Sequence, residues 1–451
     1  MHIIVAGGGK MGSTVIEHLA EEGHDVALID KNPRMVEEAI NKWDITGVAG
    51  NAASCDVQRE AGAAHADLLI AATPQDEVNM LACMIAKKLG CAHTIARVRN
   101  PEYSSQMMFL RRELGLSMIV NPEYQTAREI SRTLRVPEAI KVDSFAGGRA
   151  DIIEVRIGDG SPLIGLSIGQ ISEKYKVKIL VCAVEREDFV TIPDGNFRLK
   201  YDDKIYVTGT SECLSRFFRT FKFIRDRIKR VMIVGGGKVS YYLAEQLDKM
   251  NMDVRVIERD PERCAFLSET LPKSVTVICG DGLDQNVLLE EGLADSDAFA
   301  AMTGMDEENI IVSLYAKGKG LEKIVTKINR SFGDMVAELG LESTVCPKLV
   351  VANHIVRYVR AMQKGEGSTV RTLYKLVGNK VEALEFSIDE EAEYLGKPLR
   401  ELRIKKNILI GCIVHEGVPK IPDGNAVMSL GDSVVVVTAE GRLKNLGDIF
   451  E

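Results

Sequence analysis

One short motif opens this chain twice, and the repetition limits what the chain can fold into more than any other feature. HIIVAGGGKMGSTV runs from His2, and VMIVGGGKVSYYL runs from Val231. An acid follows each copy at the same interval, since Gly7 to Asp30 and Gly235 to Glu258 are both 23 residues apart. Gly50-Asn51 is matched by Gly280-Asp281, and Thr73 and Asn79 by Thr303 and Asn309. The later segments repeat as well, because Ile192-Pro193-Asp194-Gly195-Asn196 returns as Ile421-Pro422-Asp423-Gly424-Asn425. The polypeptide therefore reads as a tandem duplication of a two-part unit.

Within each copy, short β-branched runs such as IIVAG, DVALID and DLLIAAT alternate with helix-length amphipathic segments at 12–22 and 78–89. That alternation predicts right-handed βαβ units on a parallel sheet. A helix over 126–134 should stop ahead of Val136-Pro137, because proline disfavours helix at the residue before it. Beyond about residue 140 the pattern changes to short strands (DIIEVRI, KILVCAV, KIYVTG) around one helix at 168–174, a small α+β module. The expected order is a Rossmann-like domain at 1–125, a module at 139–214, a basic connector helix at 215–228, a second Rossmann-like domain at 229–347 and a second module at 372–451. The connector carries Arg216, Arg219, Lys222, Arg225 and Arg227, which suits either a solvated helix or a docking patch for an acidic partner. A helix is expected near 350–362, and Lys364-Gly365-Glu366-Gly367-Ser368 has the composition of a flexible linker.

At 451 residues the chain has room for roughly two to four domains, and 45% apolar content supplies their cores. The 57 basic and 65 acidic residues leave a net charge of -8, which argues against general affinity for nucleic acid or an anionic membrane surface. Nine cysteines are dispersed, with no Cys-x-x-Cys pair and no metal-ligand spacing, so they read as small core residues in a reducing compartment. The apolar runs are strand-length, short of the roughly 18 residues a membrane-spanning helix needs. With strand one expected from residue 2, no signal peptide is expected ahead of it. A soluble cytoplasmic protein is the expectation.

Gly7, Gly9 and Gly12 lie between a buried strand and a helix, the setting a dinucleotide fingerprint requires. The first allows the tight turn, the second lets backbone approach a pyrophosphate, and the third lets helix pack on strand. The helix N-terminus then favours the anion. Asp30, ending the second strand, is placed for ribose hydroxyls and repels a 2′-phosphate, favouring NAD(H) or an adenine nucleotide over NADP(H). In the second copy Gly235, Gly237 and Glu258 are kept, but Ser240 stands where the third glycine would be. Asn51 and Asp281 are positioned for the adenine edge. Thr73 and Thr303 head loops at the carboxyl end of the fourth strand and serve either a ligand or helix N-capping. Arg97 and Arg99, matched approximately by Lys327 and Arg330, suit a phosphate or oligomer contact as well as an ordinary ion pair. Catalytic machinery is not evident. The seven histidines are scattered, and Ser240-Tyr241-Tyr242 does not form a Tyr-x-x-x-Lys pair. Two nucleotide sites without chemistry point to sensing.

These motifs in this order resemble the tandem RCK (regulator of potassium conductance) family of TrkA type, the cytosolic regulatory subunits of bacterial and archaeal Trk potassium uptake systems. The resemblance covers essentially the whole chain. It implies nucleotide-binding RCK-N domains, RCK-C modules and a homotetrameric ring. It also implies a TrkH-type membrane pore as partner, reached from the inner face of the cell membrane. Carried over, the first ligand set is Gly7, Gly9, Lys10, Met11, Gly12, Asp30, Asn51, Thr73 and Arg97. The second is Gly235, Gly237, Lys238, Val239, Glu258, Asp281 and Thr303. The implied ligands are NAD(H), ATP or ADP, with no enzyme activity and no metal. A soluble NAD-dependent oxidoreductase and a regulator of potassium efflux or antiport are the competing readings.

Overall fold

In this computed structural model the described residues are 1–145, 150–187, 189–221, 223, 227–330, 333–362, 370–376, 380–439, 443 and 445–451. The linker expected at 364–368 lies outside them, as do Lys222 and Arg225. The chain forms two compact units. One contains Met1–Ser131 and Ile228–Val356, the other Arg132–Arg227 and Arg357–Glu451.

The first unit holds two parallel sheets. Strands β1 (His2–Ala6), β2 (Asp25–Asp30), β3 (Thr46–Ala49), β4 (Leu68–Ala71), β5 (His93–Arg97) and β6 (Met118–Val120) lie in the order β3-β2-β1-β4-β5-β6. Helices α1 (Lys10–Glu21), α2 (Pro33–Trp43), α3 (Cys55–Glu60), α4 (Asp76–Leu89), α5 (Met107–Glu113) and α6 (Pro122–Arg135) join or follow them. The order reverses between β1 and β4, so the carboxyl ends of β1, β2 and β4 border a crevice at a topological switch point. All four residues of β4 are buried, as expected for a strand covered on both faces. Local sequence sets the ends of the elements: Asn32 caps α2 with Pro33 at its first position, and Gly90, at φ +122°, ends α4.

The second half of the chain repeats the pattern with β12 (Arg230–Val234), β13 (Asp253–Glu258), β14 (Val275–Cys279), β15 (Ala298–Ala301), β16 (Lys323–Lys327) and β17 (Thr344–Val345), ordered β14-β13-β12-β15-β16-β17. Its helices are α9 (Lys238–Asp248), α10 (Pro261–Thr270), α11 (Gln285–Glu290), α12 (Asp306–Gly318), α13 (Gly333–Glu338) and α14 (Pro347–Met362). The two halves touch where Asn121 Nδ2 donates to Tyr242 Oη at 3.0 Å and the Tyr124 ring meets the Tyr242 ring edge-on at 5.6 Å.

The second unit contains two antiparallel sheets. One has the order β10-β9-β11-β8-β7, from β7 (Lys141–Phe145), β8 (Ala150–Arg156), β9 (Leu180–Arg186), β10 (Phe189–Thr191) and β11 (Lys204–Gly209). The other has the order β18-β19-β22-β20-β21, from β18 (Val370–Leu376), β19 (Val381–Ser387), β20 (Ile408–His415), β21 (Val418–Lys420) and β22 (Ser433–Thr438). Phe145, Ile152, Ala183 and Tyr206 of the first sheet share one apolar core with Ala383, Cys412, Val435 and Val437 of the second. The expected α/β duplication, two parallel-sheet domains each followed by a small α+β module, is thus the observed architecture.

The connector helix expected at 215–228 needs correction. The helix, α8, spans Ser211–Thr220, and residues 227–229 are not helical. Leu214, Phe217, Phe218 and Phe221 recur at helical spacing and are buried in the first module's core with Val207 and Leu199. That apolar stripe makes α8 part of the module. The short helix of the first module, α7 (Ile168–Tyr175), is closed by a Ser167/Gln170 capping box. Its counterpart in the second module is only a 3-10 turn over Leu399–Glu401, introduced by Pro398.

Candidate functional site

The glycine turn after β1 has a steric explanation. Gly7 sits at φ +107°, and a Cβ there would lie 2.9 Å from the backbone of Ala72 and Thr73, so only glycine lets the turn pass the end of β4. A Cβ on Gly9 would meet nothing within 4 Å, which leaves that stretch of backbone open to a ligand. Gly9 also begins α1 with no side-chain cap, so the first N–H groups of the helix face the crevice. At Gly12 a Cβ would come within 1.8 Å of the Gly7 carbonyl oxygen.

Asp30 is tied directly to this turn. The Gly8 N–H donates to its Oδ2 at 2.7 Å and the Asn32 N–H to its Oδ1 at 2.8 Å. A carboxylate offers about four acceptor positions, so two remain for paired ribose hydroxyls. The second half reproduces the arrangement: Gly236 N–H donates to Glu258 Oε2 at 2.5 Å and Asp260 N–H to Oε1 at 2.9 Å. Gly235 is at φ +94°, with the backbone of Thr303 2.9 Å from where its Cβ would be. Ser240 is fully buried and its hydroxyl donates to the Gly235 carbonyl. The third-glycine position of this half thus carries a side chain packed against its own turn. A second difference is Arg263, whose Nε donates to the Gly236 carbonyl at 2.7 Å; Met35 holds the corresponding place beside Gly8.

Thr73 and Thr303 do not cap the following helices; Gln75 and Met305 occupy those cap positions. The Thr73 N–H and hydroxyl both donate to Asn79 Oδ1, at 2.8 and 2.7 Å, while Asn79 Nδ2 donates to the carbonyls of Thr73 and Arg97 at 3.0 and 2.9 Å. Asn79 is fully buried, so this one side chain holds the ends of β4 and β5 together. Asn309 does the same for Thr303 and Lys327. Asp76 and Asp306, both nearly buried, accept the N–H groups that follow β5 and β16, at 2.8 to 3.0 Å. Sequence reasoning missed these two aspartates, although their shared offset of 230 residues marks them as part of the repeat.

The arginines separate into two roles. Arg99 is committed to Glu123, with Nε 2.7 Å and Nη2 2.5 Å from Oε1, and Arg330 pairs with Glu307 at 2.7 Å. Arg97 turns toward the crevice instead, its Nη1 3.4 Å from the Ala72 carbonyl and 3.5 Å from that of Thr73, and its buried Nε has no hydrogen-bond partner in the protein. Burial, and then the neighbouring Arg99, lower its pKa from the ordinary value, yet a guanidinium remains charged. Lys327 replaces it in the second half, also depressed by burial, with Nζ 3.2 Å from the Met302 carbonyl.

Gly7, Gly9, Asp30, Thr73 and Arg97 therefore meet at one crevice, and Gly235, Gly237, Glu258, Thr303 and Lys327 at another. Asn51 and Asp281 are exposed on the loops after β3 and β14, where each carboxamide or carboxylate oxygen accepts a local N–H, from Ala53 and Leu283. The Met11 and Val239 side chains are buried, so those residues can offer a ligand only backbone, while Lys10 is exposed at the first position of α1. Among the described residues no group of three or more His, Cys, Asp or Glu could hold a metal ion, and no helix is long and apolar enough to cross a membrane.

Fold and crevice define a class: a tandem Rossmann-type chain with two acid-bearing glycine-loop crevices, each parallel-sheet domain followed by an antiparallel module. Family models of the TrkA-N domain match residues 3–122 and 231–347, and models of the TrkA-C domain match 152–222 and 383–451. The chain belongs to the TrkA family. It is 32% identical to the Trk system potassium uptake protein TrkA homolog 1 of Methanosarcina mazei, over 100% of both chains. It is 30% identical to the Trk system potassium uptake protein TrkA of Azorhizobium caulinodans, over 100% of this chain and 98% of that one. Among solved structures, the GsuK channel bound to NAD matches 97% of this chain and 76% of its own length at a TM-score of 0.64 and 18% identity. The GsuK RCK domain matches 97% of this chain and 92% of its own at a TM-score of 0.62, again at 18% identity. These two likenesses establish shared architecture.

Proposed function

We propose that this chain is the nucleotide-sensing gating subunit of a Trk-type potassium uptake system. The observation that carries the reading is the pair of crevices in which a strand-two carboxylate holds the glycine turn and keeps acceptor positions for ribose, in a chain whose full-length relatives are named Trk system potassium uptake proteins. NAD(H), ATP or ADP suits each crevice: the open glycine backbone and uncapped helix receive the pyrophosphate, and Asp30 or Glu258 the ribose. Arg97, with its unpartnered Nε, is placed for a phosphate or the nicotinamide end. The NAD named in the GsuK structure is bound by a protein of the same architecture, which supports this choice.

The chain is read as non-enzymatic. Tyr242, beside the second glycine loop, is buried and bonded to Asn121. That contact ties the second glycine-loop helix to the first half of the chain, so a ligand that moves α9 also loads the joint between the halves. A ligand shifts such an equilibrium only through unequal affinity for its two states, and going from 1:99 to 99:1 takes about 5.5 kcal/mol. Several crevices in a homotetrameric ring would share that requirement. The partner is a TrkH-type potassium-transporting membrane subunit, which brings the ring to the cytoplasmic face of the membrane.

The test is affinity capture of the tagged chain from its host's solubilised membranes, with and without NADH or ADP, read by mass spectrometry. A potassium-transporting pore protein should be recovered in a nucleotide-dependent amount. Recovery of no membrane protein under any condition would overturn the reading and favour a soluble oxidoreductase.

A further inference from the structure

The two crevices differ beside the strand-two acid. In the first, Asp30 is register partner to Ala49 on β3, and Val36 lies in the first turn of α2. In the second, Glu258 is register partner to Cys279 at the end of β14, and Cys264 takes the place of Val36 on α10. The Cys264 thiol donates to the Glu258 carbonyl at 3.2 Å, and the N–H of Gly280, next to Cys279, donates to that same oxygen at 2.9 Å. The Cys264 thiol and the backbone next to Cys279 thus meet at one carbonyl, and the two thiols are near enough to interact. Cys264 is buried, whereas Cys279 is exposed. Fifteen residues of sequence separate them, which conceals a pair that the strand order brings together.

We infer that Cys264 and Cys279 are a reactive dithiol that a hydroperoxide closes to a disulfide, and that closure weakens ligand binding at the second crevice alone. The effect on binding rests on that crevice being a nucleotide site. The exposed Cys279 reacts first. Burial pushes the Cys264 thiol up to about 11, which disfavours its thiolate, the nucleophilic form. Cys279 sulfur attacks one peroxide oxygen, the O–O bond breaks, and an alcohol or water leaves with the thiol's proton, giving a sulfenic acid. Cys264 sulfur then attacks the sulfenic sulfur, the S–O bond breaks, and water leaves with the second proton. Two thiols and one hydrogen peroxide become one disulfide and two waters, the peroxide accepting the two electrons. The new bond removes the Cys264 S–H donor from the Glu258 carbonyl. It also draws the first turn of α10 toward the end of β14, on either side of the carboxylate that would hold ribose. Val36 and Ala49 leave the first crevice without this cysteine pair, so it cannot close such a disulfide and serves as an internal control.

The experiment takes the reduced full-length chain, treats it with hydrogen peroxide, blocks remaining thiols with N-ethylmaleimide, and maps proteolytic peptides by mass spectrometry. ADP binding is then titrated calorimetrically on the reduced and oxidised forms. A linked Cys264–Cys279 peptide pair should appear, vanish with dithiothreitol, and be missing from Cys264→Ser and Cys279→Ser. Oxidation should weaken one class of ADP site by roughly tenfold or more, the loss expected when one charge-assisted hydrogen bond is displaced. Both thiols alkylated after peroxide, or a linked pair with ADP binding unchanged, would overturn the inference. A reduced chain that binds neither ADP nor NADH would instead sink the nucleotide reading, while the peptide map still decides whether the dithiol closes.

Discussion

Replacing Gly12 with alanine tests the geometry of the first crevice at its tightest point. The new Cβ would start 1.8 Å from the Gly7 carbonyl oxygen, and reaching the 3.0 Å floor of such contacts requires about 1.2 Å of retreat. Both partners are backbone, so no side chain can swing aside. Overpacking of this kind costs about 1–3 kcal/mol of stability. The larger effect falls on the ligand. A hydrogen bond near 2.9 Å from a helix N–H to phosphate is lost when the helix withdraws by that much, and charge-assisted bonds contribute about 1.5–3 kcal/mol each. Gly12→Ala should therefore weaken NADH or ADP binding at the first crevice by roughly 10- to 100-fold, with the fold retained. Calorimetry reports the affinity, and urea unfolding reports the stability. Ser240 shows that the second half accepts a side chain at this position, where its hydroxyl bonds the turn. Unchanged affinity in a folded Gly12→Ala protein would refute the argument that helix and turn must approach this closely for ligand to bind.

Asn79→Ala removes the four hydrogen bonds that join the ends of β4 and β5. It should cost about 2–4 kcal/mol in urea unfolding and speed amide exchange at Thr73, because buried partners are left unsatisfied. Glu154 lies on the face of its sheet that also carries Lys141, Asp143, Glu185 and Lys204, and burial raises its carboxyl from 4.5 to about 7 against the pull of the two lysines. Between those values the folded chain holds a proton that the unfolded chain has released, so stability falls as pH rises through the window and the penalty is complete above about 7. Glu154→Gln should remove on the order of 1–3 kcal/mol of that decline, seen as a flatter change in urea midpoint between about pH 5 and about pH 8. An equally steep decline in the variant would assign the effect to another group.

The repeat made much of this molecule legible. Gly7, Gly12 and Asp30 announce themselves by spacing, because a tight strand–helix turn and a ribose acceptor each need one residue type at one place. Duplication then confirmed the spacing without any second sequence. Other features arise from the order of strands in space and leave no local trace. Asn79 was visible as a matched asparagine, but its bond to the Arg97 carbonyl requires β4 and β5 to be neighbours. Cys264 and Cys279 read as isolated core residues until β14 took its place beside β13. The end of α8 was misjudged because basic residues continue past Thr220, whereas the stripe of Leu214, Phe217, Phe218 and Phe221 that anchors the helix stops there. Arg97 and Arg99 could not be told apart by spacing; Glu123, on the helix after β6, captures one and leaves the other facing the crevice.

Calorimetric titration of the full chain with NADH and with ADP, beside Asp30→Ala, decides whether the acid-bearing crevices receive nucleotide. Asp30→Ala deletes the ribose acceptors and the anchor of the Gly8 N–H. The variant should remain folded and lose roughly tenfold or more in affinity at one class of site. Unchanged affinity in the variant, or heat-silent titrations of the unaltered chain with both nucleotides, would contradict it.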